Sequence, residues 1–147
     1  MKSEPGEFSI DDLVRAPSQT TPWVGVRNYQ ARNFMRDEMR IGDRAFFYHS
    51  SCPEPGVAGI VEISRLAYPD ETQFDPKSPY YDPKAARDTP RWLHVDVHLL
   101  RKTRLVTLPM LRAAKGLEDM IILRRGNRLS ITPVTAGEWK IVEKLAK

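Results

Sequence analysis

The apolar spacing of this chain switches from a helical to a strand period at Ile41-Gly42-Asp43, and irregular loops instead of helices join the strand-like runs that follow. Ahead of the switch, Ser9-Ile10-Asp11-Asp12 forms a capping-box pattern that opens a short helix through Leu13 and Val14 and stops before Pro17. Ala16 to Pro22 reads as a polar loop. Asn28 is placed to cap a second helix, Tyr29 to Met39, whose Ala31, Phe34, Met35 and Met39 share one face while Arg32, Arg36 and Arg40 share another.

Beyond the switch, Arg44 to Ser50 and Val57 to Leu66 are β-branched and aromatic runs joined by the turn-forming Cys52-Pro53-Glu54-Pro55-Gly56. Leu93 to Leu100 alternates as a strand. Tyr68 to Pro90 between them is long and proline-rich, and loops of that size in a compact domain are usually functional. Thr107-Leu108-Pro109 opens a third helix. Met120 to Leu123 and Leu129 to Thr132 read as short strands flanking Arg124-Arg125-Gly126-Asn127, and Thr135-Ala136-Gly137-Glu138 is a capping box for a last helix to about Leu145. A mixed α+β domain follows, with a curved or closed sheet, because the regular helical crossovers of a doubly wound fold are missing.

The 147 residues suit one domain, 1–147. Hydrophobic residues at 41% and charged residues at 29% exclude a disordered chain. No apolar run approaches the roughly 20 residues that span a bilayer, and Met1 to Pro5 carries no apolar signal core. One cysteine, Cys52, leaves no internal disulfide and no cysteine cluster for zinc, which fits a reducing, cytoplasmic setting. The net charge of +4 favours polyanionic partners.

Nucleophile-elbow, P-loop, dinucleotide and zinc-protease motifs are absent. His94, Asp96 and His98 share one strand face, but alternate positions lie roughly 6.6 Å apart along a strand. An exposed polar face is expected there, with neither metal nor cofactor. Cys52 beside His49 invites a thiol reading, yet it sits between turn residues and reads as a bystander.

Three segments combine polar groups with large rings: Lys2-Ser3-Glu4-Pro5, Trp23 to Gln30, and Phe46-Phe47-Tyr48-His49-Ser50. A nucleobase needs ring walls for its faces and a few donors and acceptors for its edge. Each residue also has a plainer reading. Trp23 and Phe47 suit a core, Asn28 a helix cap, and His49 a satisfied core histidine. An enzyme using His49 as acid/base is the alternative, and an adaptor using the tyrosine-rich loop is a third reading. Alternation sets Phe47 and His49 on one strand face, and Phe46, Tyr48 and Ser50 on the other.

The strings MKSEP, W-x-GVRNYQARNFMR (Trp23 to Arg36), GD-x-AFFYHSSC (Gly42 to Cys52), G-x-AGIVEI (Gly56 to Ile63), AYPD-x-TQFDP-x-SPYYDPK (Ala67 to Lys84), Arg91-Trp92 and RLS-x-TPV (Arg128 to Val134) resemble the EVE domain family of the PUA/YTH-like group, in order and across nearly the whole chain. The resemblance implies a PUA-like curved β-barrel with peripheral helices. It also implies a non-enzymatic, monomeric module that binds DNA or RNA carrying a modified base, a modified cytosine or methylated adenine among them. The family carries aromatic and apolar residues ahead of the Lys-Ser-Glu-Pro string, whereas this sequence starts at Met1, so either the chain begins further upstream or its first strand is shortened. By resemblance Trp23 stacks on the base, Asn28 and Ser3 meet its edge, Arg27 and Lys2 meet phosphate, and Tyr80 or Tyr81 of the long loop closes the cage. Val26, Tyr29, Phe47, His49 and Ser50 complete the expected pocket.

Overall fold

The computed structural model describes residues 1–147. Five strands form one sheet in the order β1-β3-β4-β5-β2. They are β1 (Lys2–Ser3), β2 (Thr20–Pro22), β3 (Arg44–His49), β4 (Gly56–Pro69) and β5 (Leu93–Thr107). β1 pairs parallel to β3, and every other pairing is antiparallel. Four helices flank the sheet: α1 (Ile10–Arg15), α2 (Tyr29–Asp37), α3 (Leu108–Ala113) and α4 (Ala136–Leu145). The fold is mixed α+β, as the period change required.

All four helices begin where their caps sit. The Ser9 and Thr135 side chains each accept the backbone N–H three residues on, in complete capping boxes with Asp12 and Glu138. Asn28 accepts the Ala31 N–H at 3.0 Å, and Thr107 accepts the Met110 N–H at 3.3 Å. These are local bonds, which is why the sequence displays them.

The strands depart further from expectation. β4 and β5 run past Leu66 and Leu100 to form a long ribbon whose register shifts at four places. Such bulges bend and twist a ribbon, and they also break the alternation by which a strand is recognised. The polar loop at 16–22 contains β2, which pairs Thr20, Thr21 and Pro22 with His98, Val97 and Asp96. The two short strands expected after α3 are not strands. Ile121–Leu123 is a 3₁₀ turn, and Leu129 to Thr132 contributes one ladder-like bond, from the Lys2 N–H to the Ser130 carbonyl at 2.8 Å.

The sheet is also open, which corrects the closed barrel. Its terminal strands span 2 and 3 residues and do not pair with each other. The outer side of β1 is bonded to Ser130 instead.

The sheet is covered on both faces. Phe47, Val61, Ile63, Val95 and Val97 pack with Ile10 and Leu13 of α1, Ala31 and Met35 of α2, and Trp23. Phe46, Tyr48, Val57, Ile60 and Val106 pack with Leu111, Leu117, Met120 and Val142 on the other side. The alternation along β3 therefore divides its rings between the two cores. Trp139 stacks on Phe46 at 3.9 Å between ring centroids, and Phe47 meets Trp23 edge-on at 5.3 Å. Phe47→Ala is expected to lose about 3–5 kcal/mol of stability by denaturant unfolding, against about 1 kcal/mol for the half-buried cap variant Ser9→Ala. Equal losses would contradict the packing described.

Candidate functional site

A cleft of about 760 Å³ opens between the two ends of the sheet. Lys2 and Ser3 of β1 line it together with Thr21 and Pro22 of β2, so the gap where a barrel would close is the floor of the cleft. Trp23 to Val26, Ser50 and Ser51 beyond β3, Phe8, Pro79 and Tyr80 add walls, and Glu4, Glu7, Arg128 and Ser130 add polar groups.

The wall at Tyr80 is set by a buried carboxylate. Asp70 is fully buried at the end of β4 and accepts the Gly25 N–H at 2.9 Å, the Thr72 N–H at 2.9 Å and the Thr72 hydroxyl. Arg27 Nη1 pairs with it at 3.2 Å. The rest of that guanidinium donates to the Tyr80 carbonyl from Nε at 3.1 Å and Nη2 at 2.7 Å. Burial alone would raise the Asp70 carboxyl. Bonds from Thr72 and the Gly25 amide, with Arg27 beside them, outweigh burial and hold the group below the usual carboxylate range.

This network ties the loop after β4 to the segment ahead of α2. It also brings the Tyr80 ring onto Gly25, where a Cβ would approach ring atoms to 2.7 Å and the backbone has φ of +84°. Glycine alone fits both demands. The Tyr80 hydroxyl then donates to Glu7 at 2.8 Å, while burial, with Glu7 and Glu4 adding, raises that phenol above its ordinary value. Gln73 is a second anchor, donating to the Asp70 and Trp92 carbonyls and accepting the Arg91 and Trp92 N–H groups. The long loop is thus fastened at two points.

Of the residues singled out from sequence, Lys2, Ser3, Trp23, Val26, Ser50 and Tyr80 line the cleft. Trp23 is only 7% exposed, so a strip of its indole reaches the opening while the rest rests on Phe47. The Ser3 hydroxyl donates to the Phe8 carbonyl at 2.6 Å, which leaves its oxygen free to accept. Burial pulls the Lys2 ammonium below its ordinary value.

The other five lie outside the lining. Arg27 serves Asp70 and Tyr80. Asn28 spends its carbonyl oxygen capping α2. Tyr29 stacks on Trp92 at 4.7 Å. Phe47 is buried under Trp23. His49 accepts the Ile10 N–H through Nε2 at 3.1 Å, and burial lowers its proton affinity. Its acceptor nitrogen is therefore committed to the start of α1.

Sequence reasoning assigned no site role to Glu7, Phe8, Thr21, Pro22, Ser51, Pro79, Arg128 and Ser130, or individually to Glu4, Val24 and Gly25 within the segments it singled out. The polar face of β5 is not exposed either. His94 is 4% exposed and packs on Tyr68 at 4.0 Å. The Tyr68 hydroxyl donates to Asp96 at 2.6 Å, and burial with that bond pushes the phenol up to about 12. His98 Nδ1 lies 3.1 Å from the Thr20 hydroxyl. No three His, Cys, Asp or Glu side chains converge as metal ligands.

The family model described as the EVE domain matches residues 1–145. The chain belongs to the EVE domain family. It is 47% identical to human thymocyte nuclear protein 1 over 163 aligned residues, covering 99% of this chain and 72% of the human protein. With the chicken protein of the same name it shares 48% identity over 95% of this chain and 60% of that protein. Among solved EVE-like structures, a Pseudomonas syringae protein superposes with TM-score 0.94 at 47% identity, covering 100% of this chain and 97% of the other. Human THYN1 in complex with 5-methylcytosine-containing DNA superposes with TM-score 0.92 at 46% identity, covering 100% and 95%. The EVE fold of this chain contains no helix long and apolar enough to cross a membrane.

The Asp70 network has a pH signature. Above about pH 4 the carboxyl is ionised in folded and unfolded chains alike, and its bonds stabilise the fold. As pH falls below that value and on through the lower folded-state value, the contribution is lost. Asp70→Asn is expected to reduce stability at neutral pH, with the difference from wild type shrinking in acid. Arg27→Ala should cost about 3–5 kcal/mol, because a buried carboxylate loses its cation. Thermal melts across the pH range check both, and a pH-independent difference for Asp70→Asn would exclude the ionised carboxylate as the cause.

Proposed function

We propose that this EVE domain is a non-catalytic module that binds nucleic acid carrying a modified base, with 5-methylcytosine in DNA as the leading ligand. The observation that carries the reading is the cleft itself: partly exposed rings of Phe8 and Tyr80 and the edge of Trp23 stand around hydroxyls and carboxylates, between the ends of the sheet. A flat heterocycle presents apolar faces and a polar rim, and this lining matches both. Glu4 and Glu7 supply acceptors for an exocyclic amino group, the donor that cytosine offers. Val26 and Pro22 supply apolar surface for a methyl group. The human relative's complex with 5-methylcytosine-containing DNA supports the choice of ligand.

The base reaches the cleft by turning out of the duplex. Stacking on Tyr80 supplies roughly 1–3 kcal/mol. A buried methyl adds about 0.8 kcal/mol, which is roughly a fourfold preference over unmodified cytosine. Larger discrimination requires that the plain base leave a polar group unpaired. Residues 1–147 act as a single monomeric module, and the free thiol of Cys52 suits a reducing compartment. An enzymatic role for His49 loses its basis, since the side chain lies outside the cleft and holds the first turn of α1.

Titration of labelled duplexes carrying 5-methylcytosine or cytosine, alongside RNA with or without N6-methyladenine, tests the reading. The methylated cytosine duplex is expected to bind about fourfold tighter than its plain counterpart. Tyr80→Ala should weaken binding by about 5- to 150-fold, the equivalent of losing stacking of roughly 1–3 kcal/mol, while the Tyr80 carbonyl still anchors Arg27. Equal affinity across the set, unchanged in Tyr80→Ala, would overturn the proposal.

A further inference from the structure

A base held in the cleft remains attached to phosphates on either side, and the fold must give those anions somewhere to lie. Of the two basic residues first expected to meet them, Lys2 lines the cleft unpaired, but Arg27 is engaged elsewhere. Arg27 is paired with Asp70 and bonded to the Tyr80 carbonyl. On α2, Arg36 is paired with Asp37 at 2.8 Å, and Arg32 forks onto Asn33 and the Arg91 carbonyl while covering the Tyr29 ring. Arg15, Arg44, Arg87 and Lys102 each have a carboxylate partner as well.

Arg40, Arg101, Arg104 and Arg112 are exposed and unpaired but line no cleft, whereas one unpaired cluster lies beside the base site. Arg124, Arg125 and Arg128 are exposed, and none makes an ion pair or a side-chain hydrogen bond. Between Asp119 and Glu138 the sequence contains no carboxylate that would neutralise them.

The turn carrying these arginines is fixed in shape. Ile121–Leu123 forms its 3₁₀ entry, closed by the Arg124 N–H on the Ile121 carbonyl at 3.0 Å. Asn127 then staples the turn from three directions. Its N–H donates to the Arg124 carbonyl at 3.2 Å, its Nδ2 to the Ile121 carbonyl at 3.3 Å, and its Oδ1 accepts the Leu129 N–H at 3.1 Å. Gly126, at φ +77°, makes the reversal. Both flanks are anchored by burial, Met120 in one core and Ile131 in the other. A charged turn held this way loses little conformational freedom on binding, which favours affinity.

Its position joins it to the cleft. Arg128 and Ser130 line the cleft, and the Ser130 carbonyl accepts the N–H of Lys2, whose side chain lines it too. Arg124, Arg125 and Asn127 line a second, shallow depression beside Gln30 and Phe34 of α2. An unneutralised strip thus leads from the base cleft over the turn to α2. Glu7, by contrast, gathers with Tyr80, so the cleft has an anionic group at its ring wall and cations at the Ser130 side.

We propose that the Arg124–Arg128 turn grips the sugar–phosphate backbone next to the bound base and sets affinity for DNA without choosing the base. The proposal rests on the modified-base reading and adds to it a second surface with a separate task. Arginine suits that task because its planar fork meets phosphate oxygens in pairs and keeps its charge at every physiological pH.

The test measures Kd for 5-methylcytosine and cytosine duplexes over a range of NaCl concentrations. It compares wild type with Arg124→Gln/Arg125→Gln, with Arg128→Gln, with the charge-keeping Arg124→Lys/Arg125→Lys, and with a control of equal charge change, Lys140→Gln/Lys144→Gln on α4. Each lost phosphate contact lowers the slope of log K against log salt by about 0.9. The glutamine double variant is expected to reduce the slope by about 1.8 and to weaken both duplexes by the same factor. The methyl preference should stay unchanged. The lysine variant should restore most of the slope, and the α4 control should leave it near wild type. Matching melting temperatures verify folding.

An unchanged slope in both glutamine variants would overturn the proposal, as would an equal effect from the α4 control. Loss of the methyl preference with the slope intact would do the same. If wild type shows no methyl preference but the slope still falls, the modified-base reading fails while the backbone grip stands. No binding to either duplex overturns both.

Discussion

The cleft depends on a carboxylate that has no access to water. Asp70 closes the long β4 strand, and four donors converge on it from two segments that are far apart in sequence. A buried charge is tolerable only when it is paired and fully hydrogen-bonded. That demand makes the arrangement rigid: Gly25, Arg27 and Thr72 must all be in place at once. Arg27 passes the constraint outward to the Tyr80 carbonyl, and Tyr80 becomes a wall. The wall is therefore fixed from beneath, by charge, instead of being left to a mobile loop.

The same economy governs the other cations. Most arginines in this chain hold structure: they bridge to a neighbouring carboxylate, cover an aromatic ring or donate to a carbonyl. A net charge of +4 says little about where a polyanion would rest until those are set aside. What remains near the cleft is Lys2 and the turn at 124–128, and these are joined through the backbone bond from Lys2 to Ser130. Rings and carboxylates stand where a base would enter, and unpaired guanidinium groups stand beside them.

How much of this was readable from residues follows the range of each interaction. Ser9, Asn28, Thr107 and Thr135 were identified as caps because each bonds within three residues of itself. Strand lengths were underestimated where bulges break alternation, as at Ser64 to Leu66 on β4. β2 escaped notice because three residues carry no period. For the site, the family strings brought forward Lys2, Ser3, Trp23, Val26, Ser50 and Tyr80, all of which line the cleft. Nothing local announced that Arg27 would turn toward Asp70, 43 positions away. Glu7 and Arg128 reach the cleft only through tertiary folding: Glu7 lies outside the family strings, and Arg128 opens one of them without an assigned role.

The incomplete sheet leaves its two edge strands without a ladder between them. Main-chain bonds across that gap would cross-link the sheet further and would fill the slot with the protein's own backbone. An open slot and a fully cross-linked sheet are therefore mutually exclusive in this architecture.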